Sequence, residues 1–236
     1  MGKDVIIALD FPSCSDTLTF LNKLRGASRK PFVKIGMELF YSSEGPDIVR
    51  RIKESGHKIF LDLKLHDIPN TVYSSVRSLS RLQPDMLNVH ASGSIDMMKA
   101  AVDALNSECE VKPLIIAVTL LTSLSAQKLN DELLITSSVE DTVIHYAENA
   151  KKAGLNGVVC SPLEAGKIHE RLGADFLTVT PGIRFSDGNV GDQVRVTTPE
   201  RAKELGSDYI VVGRPITRAE NPLEVYERCI NEFCGE

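Results

Sequence analysis

Short apolar runs and amphipathic segments alternate along this chain from end to end, and that alternation leaves few folds open. Residues 5–9 form a continuous apolar run of strand length that ends at Asp10. A helical pattern follows, with Ser15 or Asp16 as its expected cap and Leu18, Leu21 and Leu24 on one face. Residues 32–36 read as the next strand, and Gly45-Pro46 opens a helix that carries Ile48, Val49 and Ile52 before Gly56 closes it. The third strand spans 58–64, and its helix carries Val72, Val76 and Leu79. Residues 86–89 form a fourth strand ending at His90, with Met97, Met98, Ala101 and Leu105 on the helix after it. Further strands are expected over 114–118, 157–160, 176–179 and 209–212. Ser161-Pro162-Leu163-Glu164 is a capping box with proline at the first helical position, and Thr198-Pro199 and Asn221-Pro222 also start helices. The strands are rich in Val and Ile and nearly unbroken in apolar character, as in a parallel sheet covered on both faces. Eight such strand–helix units in 236 residues predict an α/β fold, a single-domain (β/α)8 TIM barrel over residues 1–236. An open doubly wound sheet would usually carry a glycine-rich turn after its first strand, whereas here that strand runs into Asp10-Phe11-Pro12.

A net charge of -5 argues against nucleic acid as the main partner and leaves an anionic small molecule possible only where positive charge is gathered locally. No apolar h-region follows the N-terminus, and the most apolar window, around 114–121, is too short to cross a bilayer. The expectation is therefore a protein without a membrane partner. Five cysteines without a C-x-x-C pair suit the reducing cytoplasm. Neither they nor the five scattered histidines show metal-ligand spacing, so no metal is expected, and His66 and His90 read as structural or surface residues.

The third strand runs on into Asp62-Leu63-Lys64-Leu65-His66-Asp67-Ile68-Pro69-Asn70-Thr71. Alternate side chains of a strand share a face, so Asp62 and Lys64 point one way and Leu61, Leu63 and Leu65 the other. With the leucines packed outward against helices, the two charges face inward. Asp67 lies just past the strand end and is a plausible cap for a helix opened by Pro69. An isolated D-x-K would most simply be an ion pair at a strand end. Here three charges occur together, and buried charges are expected to be paired. In a (β/α)8 barrel the active site lies at the C-terminal ends of the strands. Asp10 ends the first strand and Lys34 sits on the second, so carboxylates and ammoniums would alternate around one wall and favour each other's charged forms.

The opposite wall reads as a phosphate site, because barrels often bind phosphate with the loops after strands seven and eight. Those loops hold Pro181, Gly182 and Arg184, then Gln193, and Gly213 with Arg214. Glycine admits an oxyanion close to the backbone and arginine supplies a bidentate charge. The polar segment 181–197 is expected to act as a lid. Thr122, after strand five, could meet the middle of a ligand. No serine or cysteine nucleophile with a base partner is evident. Schiff-base chemistry needs a neutral amine, which flanking carboxylates oppose. Lys64 is better suited to stabilise a developing carbanion as an ammonium and then to donate a proton.

These segments resemble the orotidine 5'-monophosphate decarboxylase family over essentially the whole chain. DLKLHDIPNT at 62–71 is the most specific match, and ALDF at 8–11, VKIG at 33–36, NVHASG at 88–93, TPGIR at 180–184 and VVGRPI at 211–216 recur in family order. Ser94 departs from the pattern, which resembles a family with a second glycine there; a small residue is retained, so little effect is expected. The resemblance implies that Lys64 is the proton donor to ring carbon six, flanked by Asp62 and by Asp67, with Asp67 and Thr71 supplied by the partner subunit of a homodimer. Lys34 and Asp10 would complete the charge network and contact the ribose, and Thr122 the pyrimidine. Arg184, Gln193, Gly213 and Arg214 would hold the phosphate. Leu63, Leu65, His66, Ile68, Pro69 and Asn70 of the signature, with Pro181, would complete the substrate surface. The family uses no cofactor and no metal. Magnesium-dependent sugar-phosphate barrels share a D-x-K-x-x-D pattern, but the full signature with TPGIR favours orotidylate. A non-catalytic phospho-ligand binder on the same barrel would have no need of the charge quartet.

Overall fold

A computed structural model describes residues 3–185 and 197–235 of the chain. The first units are β1 (Asp4–Ala8) with α1 (Cys14–Asn22), β2 (Phe32–Gly36) with α2 (Met37–Phe40) and α3 (Gly45–Glu54), and β3 (Lys58–Leu65) with α4 (Pro69–Ser80). Next come β4 (Met86–His90) with α5 (Ser94–Glu108), then β5 (Leu114–Val118) with α6 (Ala126–Asp131) and α7 (Val139–Lys152). The chain finishes with β6 (Gly157–Val159) and α8 (Pro162–Leu172), β7 (Leu177–Thr180) and α9 (Pro199–Glu204), and β8 (Tyr209–Val212) with α10 (Arg214–Thr217) and α11 (Pro222–Cys234). The eight strands pair in sequence order, all parallel, and β8 closes onto β1. This is the (β/α)8 barrel that the alternation predicts.

The two faces of each strand serve two cores. Ile6, Phe32, Phe60, Met86, Ile116, Val179 and Val211 fill the barrel interior. Ile7, Val33, Leu61, Val89, Ala117, Val158 and Val212 pack outward against the helices. Burial on both faces explains why the strands look unbroken in apolar character.

Some local expectations shift. The first helix starts earlier than expected: Ser13, not Ser15 or Asp16, caps it by accepting from the Asp16 amide at 3.1 Å. Leu24 lies beyond that helix but is still buried. Asp67 does not cap α4; the cap position is Ile68, whose amide donates to Asp67 Oδ1 at 2.7 Å. Strand β3 runs one residue further than expected, to Leu65. The short helices α2, α6 and α10 were not anticipated. The capping box at Ser161 and Glu164 forms as read. All five cysteines are free thiols. No helix among the described residues is long and apolar enough to cross a membrane.

Candidate active site

Follow each interior row of side chains toward the C-terminal ends of the strands and it changes from apolar to polar. Ile6 and Ala8 lead to Asp10, Phe32 to Lys34, Phe60 to Asp62 and Lys64, and Met86 to Asn88 and His90. The two-residue period of the strand alone carries these groups to one mouth.

There they form a connected array. Lys34 Nζ lies 3.0 Å from Asp10 Oδ1 and 3.3 Å from Asp62 Oδ2. Lys64 Nζ lies 2.8 Å from Asp62 Oδ1. Asp62 is thus held between two ammoniums, and Asn88 Nδ2 donates to its Oδ1 at 2.6 Å. Lys34 is only 7 % exposed. Burial alone would lower its pKa, but the carboxylates of Asp62 and Asp10 outweigh it and hold the ammonium above the usual lysine range. Burial likewise opposes ionisation of Asp62; Lys34 and Lys64, with hydrogen bonds from Lys64 and Asn88, overcome it and hold the carboxyl below its ordinary value. Gly36 leaves room for this contact: a Cβ there would stand 3.0 Å from Lys34 Nζ and 3.2 Å from Asp10 Oδ1.

Lys64 departs from regular strand geometry, with φ at 51°. Beside it, His66 and His90 stack with ring centroids 5.5 Å apart, and Ser92 Oγ lies 2.7 Å from His90 Nδ1. Burial first, then His66 and Lys64, lower the His90 pKa and favour its neutral ring.

The rest of the signature divides. The side chains of Leu63 and Leu65 face the helix layer rather than the mouth, so any part they take in binding falls to their backbone. His66, Asp67, Ile68, Pro69, Asn70 and Thr71 are exposed along the turn into α4. Asp67 makes no ion pair with a described residue of its own chain, and Lys64 pairs with Asp62 alone among the described carboxylates.

On the phosphate side, the backbones of Gly182, Arg184 and Thr197 join: Thr197 N donates to Gly182 O at 3.1 Å and Arg184 N to Thr197 O at 3.0 Å. These bonds close the neck of the connection between β7 and α9. Pro181 and Arg184 are half-buried at that neck. The lid expected over 181–197 falls largely outside the described residues, as does Gln193. Gly213 and Arg214 begin α10 directly after β8. Because β8 pairs with β1, this turn stands beside Asp10 rather than across the mouth from it; β7, four strands from β3, is the opposite wall. Thr122 is half-buried in the connection between β5 and α6. Asn88, in the array, and Gly36, beside it, lie within the matched segments NVHASG and VKIG but had no site role assigned from the sequence. The alternation Met86, Asn88, His90 was the available signal for Asn88.

Fold and site define the class: a closed (β/α)8 barrel with a connected array of ionised side chains at the C-terminal ends of its strands. The chain belongs to the Orotidine 5'-phosphate decarboxylase / HUMPS family, whose sequence model matches residues 3–229. It is 56% identical over 238 residues to orotidine 5'-phosphate decarboxylases of Bacillus cereus and Bacillus anthracis, covering 100% of this chain and 99% of each relative. It also resembles the crystal structure of orotidine 5'-phosphate decarboxylase from Lactobacillus acidophilus, with TM-score 0.87 and 44% identity over 98% of this chain and 99% of that one. The enzyme of the same name from Pyrococcus horikoshii OT3 aligns with TM-score 0.75 and 26% identity, over 97% and 98% of the two chains.

Proposed function

We propose that this protein decarboxylates orotidine 5'-monophosphate to uridine 5'-monophosphate and carbon dioxide, the last step of de novo uridylate synthesis, with no metal or cofactor. The observation that carries this reading is the Lys34–Asp62–Lys64 array at the barrel mouth.

In this mechanism the bond between ring carbon six and the carboxylate breaks, carbon dioxide leaves, and the electron pair stays on the carbon. The Lys64 ammonium stabilises that charge as it develops and gives its proton to the carbon. Asp62 keeps the ammonium aimed. Lys34 and Asp10 contact the ribose, and Thr122 the pyrimidine. Arg184, Gln193, Gly213 and Arg214 hold the phosphate, whose binding energy, remote from the reacting carbon, is available to the chemical step.

The working form is a homodimer in the cytoplasm, with Asp67 and Thr71 reaching the partner's site. Support for the dimer comes from the exposed Tyr41 and Ile68, each 67% exposed. Tyr41 lines a groove of about 520 Å³ together with Phe40, Leu63, Leu65 and Thr71. Apolar side chains left in water beside a groove favour a covering surface.

The test follows the ultraviolet spectrum of orotidylate with purified protein in excess chelator. Conversion to the uridylate spectrum is expected. Conversion that stops with chelator and returns with magnesium would favour the sugar-phosphate barrels instead.

A further inference from the structure

We propose that Asn88 is a positioning residue that holds both members of the Asp62–Lys64 pair, one through its side chain and the other through its backbone. The role extends the reading of Lys64 above. Asn88 projects into the barrel from the middle of β4 and is 1% exposed. Its Oδ1 accepts from the Lys64 backbone amide at 2.7 Å, and its Nδ2 donates to Asp62 Oδ1 at 2.6 Å. A backbone N–H can only donate, so the orientation of the amide is set by chemistry: oxygen toward Lys64, nitrogen toward Asp62.

Two irregularities meet at this clamp. Register between β3 and β4 passes from Leu61↔Leu87 to Leu65↔Val89, so four steps of one strand cover two of the other. Within the gap, Lys64 takes φ 51°, a left-handed conformation that a residue with a Cβ adopts at a cost. A bulge of this kind takes backbone groups out of the ladder, and a buried N–H must then find another partner. Asn88 supplies it. With its backbone held there, Lys64 brings its ammonium back to within 2.8 Å of the carboxylate two residues earlier. The same carboxylate oxygen receives the Asn88 amide. One side chain therefore holds the turn of the lysine and adds a hydrogen bond to the ionised form of its partner.

Asn88→Ala and Asn88→Asp test this. Removing a donor to an ionised carboxylate favours its protonated form, so the midpoint of Asp62 rises. In the Asn88→Ala protein, kcat falls about 10²-fold through misplacement of the ammonium, while binding of uridine 5'-monophosphate stays within about two-fold. The acidic limb of the pH profile of kcat/KM moves to higher pH. Carboxyl 13C NMR of ligand-free protein shows the Asp62 midpoint moving the same way. Asn88→Asp has the same shape, keeps the acceptor for Lys64 N and sets a second carboxylate against Asp62, so the pair gives one strongly raised midpoint. This variant carries the test if the alanine protein does not fold. If both the acidic limb and the Asp62 midpoint stay at their wild-type positions, Asn88 only fills space and the proposal fails. Because the NMR titration needs no substrate, a protein that leaves orotidylate untouched would overturn the functional reading while the clamp still stands or falls by its own measurement.

Discussion

Lys34 is the most buried charge at the mouth, and its surroundings decide how the fold responds to pH. Its ammonium is held above the ordinary 10.5, so its stabilisation is complete below that value and is lost as pH rises through the folded midpoint. Asp62 is held below 3.8, so its contribution is complete above that value and disappears as pH falls through the lower folded midpoint. Lys34→Met removes one of the two ammoniums that keep Asp62 ionised. It should cost about 3 kcal/mol at neutral pH, because the carboxylate stays buried with less compensation. The deficit should shrink as pH falls through the raised Asp62 midpoint, because protonation removes the uncompensated charge; denaturant titration of both proteins at a series of pH values checks this. Lys64→Ala has a different signature: turnover is abolished, whereas uridine 5'-monophosphate still binds, as calorimetry would report. Equal loss of both would contradict the role given to Lys64. Ser94 is a third case. It sits at φ 80° and ψ 165°, a region suited to glycine. The sequence reading judged this position by side-chain size, but the backbone angle is what matters here. Ser94→Gly should raise unfolding stability by about 1 kcal/mol in chemical denaturation, the relieved strain exceeding the added chain entropy.

At the scale of the strand and its turn, the two-residue period explains both what could be read in advance and what could not. Asp62 and Lys64 were legible because three leucines between and beside them mark the opposite face. Asn88 was not, because β4 is buried on both faces and a polar residue between the apolar Leu87 and Val89 does not mark which face it occupies. Gly36 has no side chain to signal anything, and its role appears only when the ammonium and carboxylate beside it are located. The bulge that turns Lys64 is a property of two strands, so neither strand's sequence announces it. Helices α2 and α10, of four residues each, are too short to display a 3.6-residue period. The turn at Gly213 and Arg214 is where a prediction at this scale belongs. Arg214→Ala should weaken phosphorylated nucleotides roughly tenfold to hundredfold, the worth of a lost charge-assisted contact, and leave the corresponding nucleoside almost unaffected. Equal weakening of both ligands in a binding titration would move the phosphate site elsewhere.

A single barrel supplies Asp10, Lys34, Asp62 and Lys64 to the charge array but leaves Asp67 outside it. Its carboxylate faces solvent and accepts only the Ile68 amide among the described groups, while the exposed Ile68 follows it. If a second copy covers this surface through a two-fold axis, each Asp67 enters the other copy's mouth, and each active site draws on two chains. Interchain complementation tests that geometry without any structure of the complex. Lys64→Ala and Asp67→Asn proteins should each be inactive when purified separately. When the two are unfolded together and refolded at equal concentrations, half of the dimers become mixed, and one mouth in each mixed dimer carries both native residues. Activity should then return to about a quarter of the wild-type value per site. If Asp67 acts within its own chain, no mouth in the mixture regains both residues and the activity stays at background. A partial return that grows with protein concentration would still fit the shared site, because the mixed dimer has to form before it can work.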